Sequence, residues 1–355
     1  MNTKIIECNE VTKNFGDKSV IDNVSFNLNP GEILSILGPS GGGKTTLLRL
    51  IAGFEILDRG EIYINGNLMS SSNFGLPPEK RSVGMVFQDY MLFPHLNVEE
   101  NILFGISHLD KNARSKRLNE ILDLLHLTGL EHSSPHELSG GEQQRVALGR
   151  SLAPRPSILL MDEPFSNIDA NMRAGMCNEV ESVLRENNVT AVFVTHDRDE
   201  AFSIGNRIAV IEKGRIEQID VPEVLYRSPT TRFVASITSN CGFIRGKISG
   251  EKVITEIGSF NWESEEDIMD GDEVDLVSHT ADFVCNLDPE GINVVQSRDF
   301  KGDETIISVK LKSGTVLPCR VNNSAGFNPG SKITLTRFGN EPLFALKKSN
   351  FRQIK

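Results

Sequence analysis

One run of eight residues constrains this chain more than any other. Gly38-Pro39-Ser40-Gly41-Gly42-Gly43-Lys44-Thr45 fits G-x-x-x-x-G-K-[ST]; it follows the apolar run Glu32-Ile33-Leu34-Ser35-Ile36-Leu37 and precedes the helix-like Thr46-Leu47-Leu48-Arg49. Strand, glycine loop and helix in that order predict a βα unit whose loop amides turn inward around phosphate oxygens. The helix N-terminus adds positive potential, Lys44 is placed for β/γ-phosphates, and the Thr45 hydroxyl is placed for Mg²⁺. A glycine-rich turn that holds no ligand is the plain alternative.

The rest of the first two-thirds extends that unit. Ile158-Leu159-Leu160-Met161, Ala191-Val192-Phe193-Val194-Thr195 and Arg207-Ile208-Ala209-Val210-Ile211 alternate with helix-length stretches, which predicts a parallel sheet wrapped by helices. Alternation at Val24, Phe26 and Leu28, and the run Glu61–Gly66, predict an antiparallel portion beside it. Residues 98–137, with Leu118, Ile121, Leu122 and Leu125 at helical spacing, read as the heart of a helical insertion within about 89–150. Beyond about residue 240, short β-type runs such as Lys252–Thr255, Glu304–Leu311 and Lys332–Thr336 predict a small barrel. The fold class expected is therefore α/β, as residues 1–237, followed by a β-rich, OB-like domain at 238–355.

Composition narrows the function. The chain has 355 residues, with 37 Lys+Arg against 48 Asp+Glu and a net charge of −11, which argues against nucleic acid as a partner and against adhesion to anionic lipid. No apolar run approaches the ~20 residues of a membrane span, and no secretory signal opens the chain, so a cytosolic location is expected. Cys8, Cys177, Cys241, Cys285 and Cys319 are spaced too widely for a disulfide framework or zinc knuckle and read as reduced structural thiols. The acidic stretch from Glu263 to Asp275 reads as a solvated loop and strand edge.

Two further motifs carry chemistry. Ile158–Met161 delivers Asp162 and Glu163 at a strand end, Asp162 placed for the Mg²⁺ shell and Glu163 to polarise a water against the γ-phosphate; a solvent-exposed strand cap is the alternative. Leu138-Ser139-Gly140-Gly141-Glu142-Gln143-Gln144-Arg145 opens a helix and offers a second anion cradle at Ser139, Gly140 and Gly141. One nucleotide does not need two cradles from one subunit, which points to a homodimer with shared sites. An ordinary capped turn is the alternative there.

With these residues in place, the chain resembles the ATP-binding subunits of ABC transporters over residues 1 to about 237, LSGGEQQ matching their signature. The resemblance implies ATP and Mg²⁺ as ligands. It makes Phe15 the aromatic that stacks on adenine, Gln88 the glutamine that contacts Mg²⁺ and the membrane subunit, Ser166–Asp169 the D-loop with Asp169 intact, and His196 the γ-phosphate switch. It further implies homodimers docked peripherally on integral-membrane permeases at the cytoplasmic face of the inner membrane, served by an external solute-binding protein. Phe93, Pro94 and His95 are then the expected permease contact. The tail resembles the regulatory barrels of importer ATPases for maltose, sulfate, polyamines and iron, although Ser278–Asp282 departs from their usual Arg-Pro-Glu. Ala52–Glu55, Leu92–Leu96 and Asp162–Asn167 resemble the ferric-iron branch most, so iron import is the expectation, with sulfate, polyamine or sugar open. A repair or translation ATPase, or a metabolic kinase, is the rival: the first lacks chain for a coiled coil or second cassette, and the second leaves the signature and His196 without roles.

Overall fold

The computed structural model describes residues 4–302, 304–322 and 326–348. It divides into two compact units, one ending at Pro222 and the other beginning at Glu223. No helix among the described residues is long and apolar enough to cross a membrane.

Among the described residues, the first unit has eleven strands: β1 Ile6–Phe15, β2 Lys18–Leu28, β3 Ile33–Leu37, β4 Arg59–Ile64, β5 Asn67–Ser71, β6 Phe74–Gly75, β7 Val83–Val86, β8 Ile158–Asp162, β9 Ala191–Thr195, β10 Arg207–Glu212 and β11 Arg215–Asp220. Five form an antiparallel sheet in the order β2-β1-β4-β5-β6, and six form the second sheet in the order β11-β10-β3-β9-β8-β7. Within the latter, β10, β3, β9, β8 and β7 run parallel. All residues of β3, β8 and β9 are buried, as strands covered on both faces must be.

Alternation sorts their side chains. Leu34, Ile36, Ile158, Leu160, Val192 and Val194 join the core shared with the antiparallel sheet and helix α1 (Lys44–Ala52), while Leu159, Met161, Ala191 and Phe193 join the core beneath the other helices. Those are α2 Val98–Leu103, α3 Lys111–Leu124, α4 Gly140–Leu152 and α5 Ala170–Glu186, followed by α6 Arg198–Ile204 beside β3 and β9. Leu118, Ile121, Leu122 and Leu125 point into this second core, as their spacing predicts. The C-terminus of α1 is closed by buried Arg81, whose guanidinium donates to the carbonyls of Leu50, Ile51 and Leu76 at 2.7–3.0 Å. That capping fixes α1, and hence the glycine loop at its other end.

The second unit contains the expected small barrel. Strands β12 Cys241–Ser249, β13 Lys252–Thr255, β14 Gly258–Glu263 and β15 Glu273–His279 close with the last strand, β21 Leu343–Lys347, in the order β12-β13-β14-β21-β15. The β14–β21 contact is parallel and the others are antiparallel. Between β15 and β21 the chain forms a further sheet, β16-β20-β17-β18-β19, from β16 Phe283–Leu287, β17 Asn293–Phe300, β18 Thr305–Lys310, β19 Val316–Val321 and β20 Lys332–Arg337. The acidic stretch is mostly solvated, but Asp275 departs from expectation: it is 4% exposed and accepts from Arg232 at 3.0 Å, because strand alternation turns it toward helix Arg232–Thr238.

Asp282 organises the turn between the barrel and the further sheet. Its carboxylate accepts from the His279 amide at 2.7 Å and from Arg337 at 3.1 Å. Burial pushes its pKa up, yet the bonds from His279 and the Arg337 charge outweigh burial and leave it below the ordinary carboxylate value. A group held low contributes stability above its unfolded pKa and loses it as pH falls through the folded value. Asp282→Asn is expected to destabilise the unit by about 2 kcal/mol at pH 7, the scale of a hydrogen bond to a charged group. Thermal melts should show the gap from the parent closing as the medium is acidified.

Candidate functional site

Residues Gly38–Gly43 turn between β3 and α1. Gly43 adopts φ +98°, and an added Cβ there would lie 2.5 Å from the Val20 carbonyl, so only glycine fits the tightest part of the turn. The first turn of α1 carries no acid and no side-chain cap, leaving its amides free for an anion. Lys44 is 4% exposed, and its ammonium donates to the carbonyls of Gly38 at 2.9 Å and Pro39 at 3.1 Å. Burial lowers its pKa, with the nearby charges of Glu163 and Asp162 opposing. An open cavity of about 630 Å³ is lined by Ser40, Gly41, Gly43, Lys44, Thr45 and Thr46 together with Lys18, Lys213 and Glu163. Three lysines around a glycine loop suit a polyanion. A larger groove of about 760 Å³, lined by Arg117, Asn188 and Thr190 among others, contains none of these residues.

The acids arrive from the same sheet. Asp162 ends β8 and its Oδ1 accepts from the Thr45 hydroxyl at 2.9 Å. Burial raises the Asp162 pKa, the Thr45 bond opposing. Glu163 follows with a left-handed φ of +44°, while its amide donates to the Val194 carbonyl at 3.0 Å. Ladder pairing thus holds a backbone conformation that glutamate disfavours, and strain of this kind collects at functional sites. One Glu163 oxygen lies 3.7 Å from the Lys44 ammonium and the other 3.0 Å from His196 Nδ1. His196 sits one residue past β9, which lies between β3 and β8. Lys44, Glu163 and His196 therefore meet because adjacent parallel strands end together, the crevice where open α/β sheets bind ligands.

The other expected residues lie on further elements of the first unit. Phe15 ends β1 with its ring 48% exposed and the Lys13 ammonium 5.0 Å from its centroid. Gln88 lies just past β7 with its side chain exposed. Ser139 caps α4: its hydroxyl oxygen accepts from the Glu142 amide at 3.4 Å, and the Glu142 carboxylate in return accepts from the Ser139 amide at 2.7 Å. Within one chain this is the ordinary capped turn. Gly140 and Gly141 form the first turn of α4 without contributing to the Lys44 cavity, and Asp169 precedes α5 without a side-chain capping bond.

Four supporting contacts escape a reading of the sequence. Arg150 on α4 donates to the carbonyls of Met91 at 2.6 Å and Tyr90 at 3.0 Å, both left-handed, and covers the Phe93 ring at 5.1 Å. Buried Asn101 accepts from the Phe93 amide and donates to the carbonyls of Phe93, Leu96 and Asn97. Asn167 donates to the Gln88 carbonyl at 3.1 Å and to Asp89 at 3.3 Å. Behind His196, buried Glu200 accepts from Thr195 at 2.6 Å, and Arg173 approaches Glu200 and Asp197.

The fold and this cluster define a nucleotide-binding cassette of the phosphate-loop class. The model of the ABC transporter family matches residues 21–166. A spermidine/putrescine import ATP-binding protein, PotA, from Nitrosospira multiformis is 38% identical over 337 residues, covering 90% of this chain and 92% of that protein. An Fe(3+) ions import ATP-binding protein, FbpC, from Haemophilus influenzae is 46% identical over 231 residues, covering 64% of this chain and 66% of that one. The dimeric post-hydrolysis structure of the ATP-binding cassette MJ0796 with ADP and Pi superposes with TM-score 0.54 at 31% identity, covering 61% of this chain and 98% of that one. The chain belongs to the ABC transporter family, among its importer-type ATP-binding subunits.

Proposed function

We propose that this chain is the ATP-hydrolysing motor of an importer, working as a homodimer beneath integral-membrane permease subunits. The observation that carries the reading is the meeting of Lys44, Glu163 and His196 at 3.0–3.7 Å on the ends of neighbouring strands. ATP enters with its phosphates against the free amides of α1. Lys44, already buried, exchanges loop carbonyls for β/γ-phosphate oxygens, and Phe15 offers an exposed ring to the adenine. The hydroxyl of Thr45 and carboxylate of Asp162, 2.9 Å apart, are hard oxygen donors that fit Mg²⁺, with Gln88 as a further partner. That ion, when bound, neutralises charge on the phosphate oxygens. Glu163 orients and polarises the attacking water, and His196, paired with it, contacts the γ-phosphate.

The second cradle belongs to the partner's nucleotide in this reading. Ser139, Gly140 and Gly141 of one subunit complete the site built on Lys44 of the other, with Asp169 at the same junction. Closure of the dimer on ATP and reopening after hydrolysis drive alternating access in the permease. The segment held by Arg150 and Asn101 presents Phe93, Pro94 and His95 toward the permease. Arg150→Met keeps the aliphatic stem but removes two bonds from strained carbonyls. It is expected to leave basal ATPase within about twofold while reducing permease-stimulated ATPase about tenfold, roughly the 1.4 kcal/mol of one charged hydrogen bond. Reconstituted vesicles with and without permease separate the two activities.

Two cationic solutes are supported by different observations. Ferric iron is favoured by the 46% identity to the iron-import relative and by the motifs at Ala52–Glu55, Leu92–Leu96 and Asp162–Asn167. Polyamine import is favoured by relatives aligned over 90% or more of this chain, including one from Pseudomonas aeruginosa. Ferric iron is our first assignment. Deleting the gene and measuring uptake of labelled ferric iron and putrescine in parallel tests it: loss of iron uptake alone supports it, and loss of putrescine uptake alone transfers the assignment to polyamines. Loss of neither, with hydrolysis intact, removes both solutes and leaves the motor in place.

A further inference from the structure

The sheet β16-β20-β17-β18-β19 has β16 and β19 as its two edges, yet these edges lie against one another. A backbone bond runs from the Arg320 amide in β19 to the Thr280 carbonyl, just before β16, at 2.7 Å. Inward-facing alternate residues bring Cys285 of β16 and Cys319 of β19 together in the core of the second unit. Both side chains enter the same buried cluster, although 33 residues separate them in the chain.

The two sulfurs differ in access. Cys319 is 1% exposed, whereas Cys285 is 9% exposed and lines a cavity of about 340 Å³ together with Arg320 and Asn322. Cys8, Cys177 and Cys241 have no such arrangement: burial raises all three thiols, Cys177 to about 12.

We propose that Cys285 and Cys319 are a peroxide-oxidisable dithiol that closes the seam of this sheet as a reversible disulfide. Cys285, as thiolate, attacks one oxygen of hydrogen peroxide; the O–O bond breaks, hydroxide leaves and takes up a proton as water, and Cys285 becomes a sulfenic acid. The sulfur of Cys319 then attacks that of Cys285, the S–O bond breaks, the Cys319 proton leaves with the hydroxyl as a second water, and the S–S bond forms. Two thiols and one peroxide give one disulfide and two waters. Cys285 lines the cavity and Cys319 does not, which assigns attack to Cys285 and resolution to Cys319; contact with Cys319 also lowers the Cys285 pKa while that of Cys319 is raised. Reversible bonds of this type are the form disulfides take in reducing compartments.

The experiment uses the purified full-length chain, exposed to hydrogen peroxide, alkylated and mapped by mass spectrometry. The expected result is a Cys285–Cys319 linked peptide, reversed by dithiothreitol, forming at least tenfold faster than oxidation at Cys8, Cys177 or Cys241. Cys319→Ser should leave Cys285 as a sulfenic acid trapped by dimedone, and Cys285→Ser should leave Cys319 unreactive. Unstimulated ATPase, unchanged in both variants, reports that each is folded. Absence of the linked peptide from the parent chain overturns the proposal, as does oxidation of all five cysteines at similar rates.

Discussion

Glu163→Gln should cut steady-state ATP turnover by a factor of about 10²–10⁴, the usual contribution of a positioned general base. The amide keeps the shape and the contact with His196, so nucleotide binding should survive. What is lost is an oxygen able to accept a proton from water. With hydrolysis blocked, ATP should accumulate in the closed dimer, and light scattering of the variant should give the mass of two chains with ATP and one without it. Turnover near that of the parent would remove Glu163 from the base role. A monomer at every concentration, even with permease present, would instead remove the shared site.

Lys44→Ala acts on the other side of the same cavity. The parent ammonium is buried and held by Gly38 and Pro39, so its position is set before nucleotide arrives. Removing a charged donor to phosphate costs about 3 kcal/mol, which is roughly a 100-fold rise in Kd. Titration with a fluorescent ATP analogue measures this directly, and unchanged affinity would contradict the placement of the phosphates. The two variants separate binding from chemistry: one should bind without turning over, and the other should fail at binding. Subunits carrying Lys44→Ala mixed with subunits carrying Ser139→Arg should give heterodimers with one doubly damaged and one intact site.

Much of this site was legible because its signals are local. A glycine loop between strand and helix specifies Lys44 and Thr45 within a few residues, and an apolar strand ending in two acids specifies Asp162 and Glu163. Strand order was less legible. That β9 lies between β3 and β8, which brings His196 to Glu163, depends on pairing between β9 and β8 and, across more than a hundred residues, between β9 and β3. Side chains acting through distant carbonyls gave no signal at all. Arg81 and Arg150 look like surface cations in the sequence, yet each binds carbonyls of a segment far along the chain. Asp275, one acid among eight from Glu263 to Asp275, is buried only because its strand turns it toward Arg232. The thiols at 285 and 319 become a pair only when a sheet folds its edges together.

The amide of Asn167 joins two loops of the first unit. It holds the Gln88 carbonyl and the Asp89 carboxylate, on the strand end beyond β8, from a segment that meets the opposite subunit in the shared-site arrangement. In the proposed dimer, occupancy would be reported outward in two ways, chemically through the phosphates and mechanically through this tether. Displacing residues 166–169 pulls on Gln88 whether or not a phosphate is present. On that reading, Asn167→Ala would retain only the chemical route, and a permease would respond to hydrolysis but lose the earlier cue that two subunits have met.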